Sequence, residues 1–172
     1  MAMRGGEPDP SALRRHPNRA RAFHEAGHAV VCAVEGKALH NVSVTGGARI
    51  VEPEEMMSND FWGVRVALAG FVADQISSGE TEPLAIERLA SGSGTPGTEH
   101  DFKHACRLAS QAMDRTATND AIRDCIVEQL QAVTRMLKDR WRAVEMIATQ
   151  LMTGGELAGE QVVDLVGQTR PS

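Results

Sequence analysis

His24 and His28 stand four positions apart, with Glu25 directly after the first, in the run Ala22-Phe23-His24-Glu25-Ala26-Gly27-His28-Ala29-Val30-Val31. On a helix, residues at i and i+4 lie one turn above each other, so both imidazoles reach a single ion. Glu25 then projects beside that ion, where a carboxylate can take a proton from a bound water. An H-E-x-x-H pattern is short enough to arise by chance, and two histidines on a solvated or core face are the alternative. The context favours the metal. Ala22, Phe23, Ala26, Ala29, Val30 and Ala33 recur at helical spacing and give the segment one buried side. Zinc is the ion that suits this pair, and Glu25 is the candidate catalytic base.

Two histidines do not complete a catalytic zinc site, which takes three protein ligands and keeps one position for water. By residue type the third candidates are Asp60, Asp74, Glu99, His100, Asp101 and His104. Asp101 stands out, because a Gly-rich loop delivers it to the first turn of a helix, where the dipole favours a carboxylate. A plain helix-start charge is the alternative. Cys32, four residues after His28, is a weak candidate, since the helix has turned past the ion by then.

The elements that must position these residues read as follows. A first helix runs from about Asn18, its N-cap, to Glu35 and stops at Gly36. Gly27 costs helix propensity, about 1 kcal/mol against alanine, and its place between the two histidines predicts another backbone passing close to that face. Two strands follow, 41–45 and 48–51, joined at Gly46-Gly47 and limited by Pro53. Ser58 or Asn59 caps a second helix through Trp62, Val66, Leu68, Val72 and Ile76, ending near Ser78-Gly79. Residues 79–98 are Gly- and Pro-rich loop, with a short helix as an option over Leu84–Leu89. A third helix opens at Thr98-Glu99-His100-Asp101. From Asp120 to Leu151 the helical periodicity is too long for one straight rod, so a break is expected near Lys138–Asp139. Gly154-Gly155 end that segment, and a last short helix covers Gly159–Val166. The expected fold is mainly α: an array of about five to six helices with a small two-stranded β-ribbon and the zinc site on the first helix. Residues 1–18, with Pro8, Pro10 and Pro17, read as a flexible N-terminal arm, and 19–172 as one domain.

Composition narrows the function classes. The 172 residues are 42% hydrophobic and 24% charged, which is ordinary globular protein. A net charge of −5 argues against nucleic acid as the main partner. No stretch approaches the ~18 apolar residues of a membrane span, and Met1 to Asn18 lacks the apolar core of a secretory signal. Cys32, Cys106 and Cys125 are an odd number without C-x-x-C spacing, each inside an apolar helical pattern. They read as buried free thiols, which fits a reducing cytoplasm. There is no Tyr, so a tyrosine cannot stabilise an oxyanion here.

Three runs together resemble a known family: Phe23-His24-Glu25-Ala26-Gly27-His28-Ala29-Val30-Val31, Leu68-Ala69-Gly70-Phe71-Val72-Ala73-Asp74-Gln75-Ile76 and Gly97-Thr98-Glu99-His100-Asp101-Phe102-Lys103-His104-Ala105. They look like the peptidase domain of the FtsH-type membrane-anchored AAA zinc metalloproteases. The closing stretch from Trp141 to Val166 is also similar to the family's last helices. The resemblance covers roughly residues 19–167, and its first and third runs are the specific ones. It implies His24, His28 and Asp101 as zinc ligands and Glu25 as the base. It also implies that the ribbon at 41–51 is the edge on which an extended substrate is laid by strand addition. The chain departs from the family in holding no G-x-x-x-x-G-K-[ST] loop for an ATPase and no membrane anchor, with His100 where Asn is usual and Phe71 where Arg is frequent.

The expectation is a stand-alone cytoplasmic zinc metalloendopeptidase, cleaving peptides or unfolded protein segments without its own ATPase. His100, His104 and backbone N–H groups are the candidate oxyanion donors. Two other readings stand beside it. One is a peptidase subunit served by a separate ATPase chain; the other is a non-enzymatic, zinc-stabilised interaction module. Neither nucleic acid nor a membrane span is expected among the partners, whereas a homo-oligomer or an ATPase partner is compatible with the sequence.

Overall fold

Alanine, valine and glycine at helical spacing let helices approach closely, and that approach organises this protein. A computed structural model describes residues 14–57, 60–79, 88, 97–113 and 116–169. Among these, six helices and a small antiparallel sheet follow in the order α1 (Arg19–Val34), β1 (Leu39–Ser43), β2 (Gly47–Ile50), a 3-10 turn (Pro53–Met57), α2 (Trp62–Ser78), α3 (Thr98–Met113), α4 (Asn119–Asp139), α5 (Trp141–Gly154), β3 (Glu156–Ala158) and α6 (Gly159–Gln168). The mainly helical class with a small β element is as expected. The proposed N-terminal arm falls largely outside the described residues. The Ser58/Asn59 cap and, apart from Arg88, the short helix over 84–89 fall outside them as well.

α1 is the central helix. Every residue from Ala22 to Cys32 is buried, so its polar members His24, Glu25 and His28 lie in the interior rather than on a wet face. α2 crosses it most intimately. A Cβ placed on Gly27 would come 2.6 Å from the Ala69 carbonyl oxygen and 2.6 Å from the Ala73 Cβ. This is the passing backbone that the glycine between the histidines implied. Arg65 of α2 fastens the far end of α1, donating to both carboxylate oxygens of Glu35 and, at 2.9 Å, to Gln129 of α4. Phe23 of α1 stacks on Trp141 of α5 with ring centroids 5.7 Å apart. The long periodic segment breaks at Arg140, between α4 and α5, close to the expected position.

The sheet differs in detail from the ribbon read from sequence. It has three strands in the order β2-β1-β3, because Glu156–Ala158 pairs with Asn41–Ser43. β3 is only three residues long and carries one buried side chain, Leu157, too little to form an alternating signal. The hairpin turn also sits earlier. Ser43 pairs with Gly47 across a loop of Val44-Thr45-Gly46, and the Ser43 hydroxyl accepts from the Gly46 N–H at 2.8 Å. Gly47 takes φ +73°, the left-handed position that closes a three-residue hairpin loop.

Candidate metal centre

α1 delivers His24, Glu25 and His28 to one cleft, while the first turn of α3 delivers Asp101 from 77 positions beyond His24. His24 Nε2 and His28 Nε2 approach to 3.2 Å, and Asp101 Oδ2 lies 3.0 Å from the first and 3.4 Å from the second. The three ligand atoms all fall within 4.8 Å of one another, a group able to hold a metal ion.

α2 fixes how the two imidazoles face. His24 Nδ1 meets Asp74 Oδ2 at 2.9 Å, and His28 Nδ1 meets the Val66 carbonyl at 2.7 Å. Both partners are acceptors, so each ring donates its Nδ1–H backwards. That leaves both Nε2 lone pairs pointing at each other and at a carboxylate. Three acceptors converging in a buried place fit a shared cation, a metal ion or a proton, so the donor set suits a metal. Gly70 makes the room: a Cβ there would stand 2.5 Å from His28 Nε2 and 2.6 Å from His24 Nε2.

The titration behaviour expresses the same field. Burial lowers the His24 imidazole, but hydrogen bonds to Asp101 and Asp74 and the charge of both carboxylates outweigh it, raising it to about 9. Burial likewise pushes Asp101 up, yet the two histidines prevail and hold it well below the usual carboxylate range.

Glu25 is 3% exposed, and its Oε1 accepts from Arg21 Nε at 2.8 Å. Its Oε2 lies beside the hairpin, where a Cβ on Gly47 would approach to 3.3 Å. The histidines, Glu25 and Asp101 open on a cleft of about 500 Å³. Gly46, Gly47, Ala48 and Ile50 of the hairpin line it, together with Pro53 and Met56 of the 3-10 turn and His100 and His104 of α3.

Of the six candidates for a third ligand, the structure brings Asp101 to the histidines. Asp74 is close but engages the back of His24 instead. Glu99 is exposed and pairs with Lys103 at 2.6 Å. Asp60 accepts from the Trp62 N–H at the start of α2. His104 has its Nδ1 2.8 Å from Arg107 Nη2, and burial, then the charges of Arg107 and His100, lower its pKa. Cys32 is buried and donates to the Lys37 carbonyl, away from the ligands. Sequence reading missed Arg21 as the partner of Glu25, although the four-residue spacing was visible. The backbone carbonyl of Val66 left no such signal.

No protein-family model matches the chain, and no curated protein matches its sequence.

Proposed function

We propose that the protein is a zinc-dependent metallopeptidase of the H-E-x-x-H type, hydrolysing peptide bonds in peptides or unfolded segments. In this reading it is a relative of the FtsH-type peptidase domain. One observation carries the proposal. The buried Glu25 carboxylate opens on the same cleft as the convergent nitrogens of His24 and His28 and the Asp101 oxygen. A site that only stabilised the fold would have no use for a buried carboxylate with no place among the ligands.

Bound by His24, His28 and Asp101, zinc would supply Lewis-acid polarisation of a water and of the scissile carbonyl. Glu25 accepts the water proton and returns it to the leaving amine, so one residue serves as base and then as acid. Asp74 and Val66 hold the two imidazoles in the tautomer that presents Nε2. β2 is an edge strand, and no strand among the described residues pairs with its outer side. An extended chain added there would run along the hairpin wall of the cleft. His100 and His104, which line the same cleft, and backbone N–H groups remain the candidates to donate toward developing negative charge. A cleft of this size admits an extended segment and a few side chains, which favours unfolded over folded substrates.

The test combines metal analysis with cleavage of an unfolded chain, without nucleotide, by wild type and Glu25→Gln. One zinc per chain is expected in both proteins. Hydrolysis should fall by about 10²–10⁴-fold in the variant, the usual cost of losing a general base. Equal activity in the two proteins would end the mechanism. A zinc-bound wild type inert on a broad panel of unfolded substrates would favour the interaction module or a peptidase that needs a separate ATPase.

A further inference from the structure

A carboxylate that is 3% exposed must be compensated, and among the described residues the cation paired with Glu25 meets one of its oxygens. Arg21, one turn earlier on α1, contacts Oε1 at 2.8 Å through Nε. Arg21 lines the cleft and extends to Gly97, just before α3, where an added Cβ would lie 3.3 Å from Nη1. Oε2 is the carboxylate atom nearest Gly47, 3.3 Å from where a Cβ there would stand. The carboxylate is therefore held between a cation on its own helix and a turn of the hairpin that lacks a side chain.

Resting on the peptidase reading, we infer that Arg21 is the positioning residue of Glu25: it holds one carboxylate oxygen and so aims the other at the cleft. An ordinary i,i+4 pair on a wet helix face contributes little, because water serves both partners as well. Here the acid is buried while Arg21 keeps 32% side-chain exposure, so the arginine reaches inward to Glu25 from the border of the cleft. The role differs from ligation and from proton transfer. Arg21 acts on the reaction through Glu25.

The rival role is direct binding of a substrate carboxylate by Arg21, and the two separate experimentally. Zinc-loaded wild type, Arg21→Ala, Arg21→Lys, Glu25→Gln and the double variant Arg21→Ala/Glu25→Gln are compared for zinc content, Tm and steady-state constants on an unfolded chain. Zinc content is expected to be equal in all five. Arg21→Ala should lower Tm by about 4 °C through the unpaired buried charge, and Glu25→Gln in that background should restore most of the loss. Loss of aim should reduce kcat by about 10–100-fold with KM nearly unchanged, and Arg21→Lys should recover part of it. Additive Tm effects would overturn the inference, as would a raised KM with unchanged kcat, which makes Arg21 a substrate anchor. A zinc-bound but inert wild type counts against the peptidase reading alone. The Tm cycle then still decides whether Arg21 holds Glu25.

Discussion

Replacing Gly70 with alanine challenges the metal centre without touching a ligand. The added Cβ would stand 2.5 Å from His28 Nε2 and 2.6 Å from both Nε2 and Cε1 of His24, whereas real Cβ atoms essentially never come within 3.0 Å of such neighbours. The methyl and the two rings cannot keep their places together. Gly70 lies inside α2, and the other contacts are rings held from behind, so the strain falls on the imidazoles. To escape, the rings must give up the Nδ1 contacts to Asp74 and Val66, at 2.9 and 2.7 Å. Losing one such outer contact costs about 10–100-fold in metal affinity. Disturbing both should weaken zinc by about 100-fold or more, at least roughly 2.7 kcal/mol. The helix itself gains from the change, by about 1 kcal/mol of intrinsic propensity. Competition with a chromophoric chelator gives the Kd, and far-UV circular dichroism confirms that the helices remain. A folded Gly70→Ala protein that binds zinc as tightly as wild type would refute the placement of α2 against the ligand nitrogens.

Asp101→Ala should lose stoichiometric zinc while Glu99→Ala and His104→Ala keep it, read by metal analysis after dialysis; loss in His104→Ala alone would mean the ligand on α3 is misassigned. Gly27→Ala forces a methyl against the Ala69 carbonyl and the Ala73 Cβ, both at 2.6 Å. Overpacking of about 1–3 kcal/mol should outweigh the propensity gain and lower Tm by a few degrees, and an unchanged or higher Tm would contradict the close crossing of α1 and α2. Burial pushes the Cys32 thiol up to about 12, with Lys37 opposing and Glu35 adding to the shift. Since only thiolate reacts, iodoacetamide at about pH 8 should modify Cys32 roughly 10³-fold more slowly in the native protein than in urea, and comparable rates would show the thiol is not buried.

Much of α1 was legible because its chemistry is local. The four-residue spacing of the histidines, the apolar positions around them and the glycine between them all report on one helix. Asp101 was legible more weakly, as an acid at a helix start after a glycine-rich loop. The third strand was not. Glu156–Ala158 becomes a strand only because Asn41–Ser43 offers its second edge, a pairing across more than 100 positions that no local pattern encodes. The turn reads as Gly46-Gly47 because the two glycines look alike in sequence, whereas the loop is Val44–Gly46 and Gly47, at φ +73°, pairs with Ser43.

The contribution of α2 to the site was legible in the sequence as a run of residues but not as a geometry. Val66, Gly70 and Asp74 are spaced four apart on α2 and form one stripe against the histidines. Val66 contributes a backbone carbonyl to His28, Gly70 contributes the lack of a side chain beside both Nε2 atoms, and Asp74 contributes a carboxylate to His24. Gly70 and Asp74 stand in the 68–76 run that carries the resemblance, but Val66 acts through its backbone carbonyl, which its residue type does not announce. Their common property is geometric, since each meets the ligand pair at a different depth along one helix face. Without that stripe, α1 would still carry H-E-x-x-H, but its imidazoles could turn either nitrogen forward. On the proposed zinc reading, metal affinity should respond to substitutions along 66, 70 and 74 as strongly as a ligating histidine responds to loss of its outer partner.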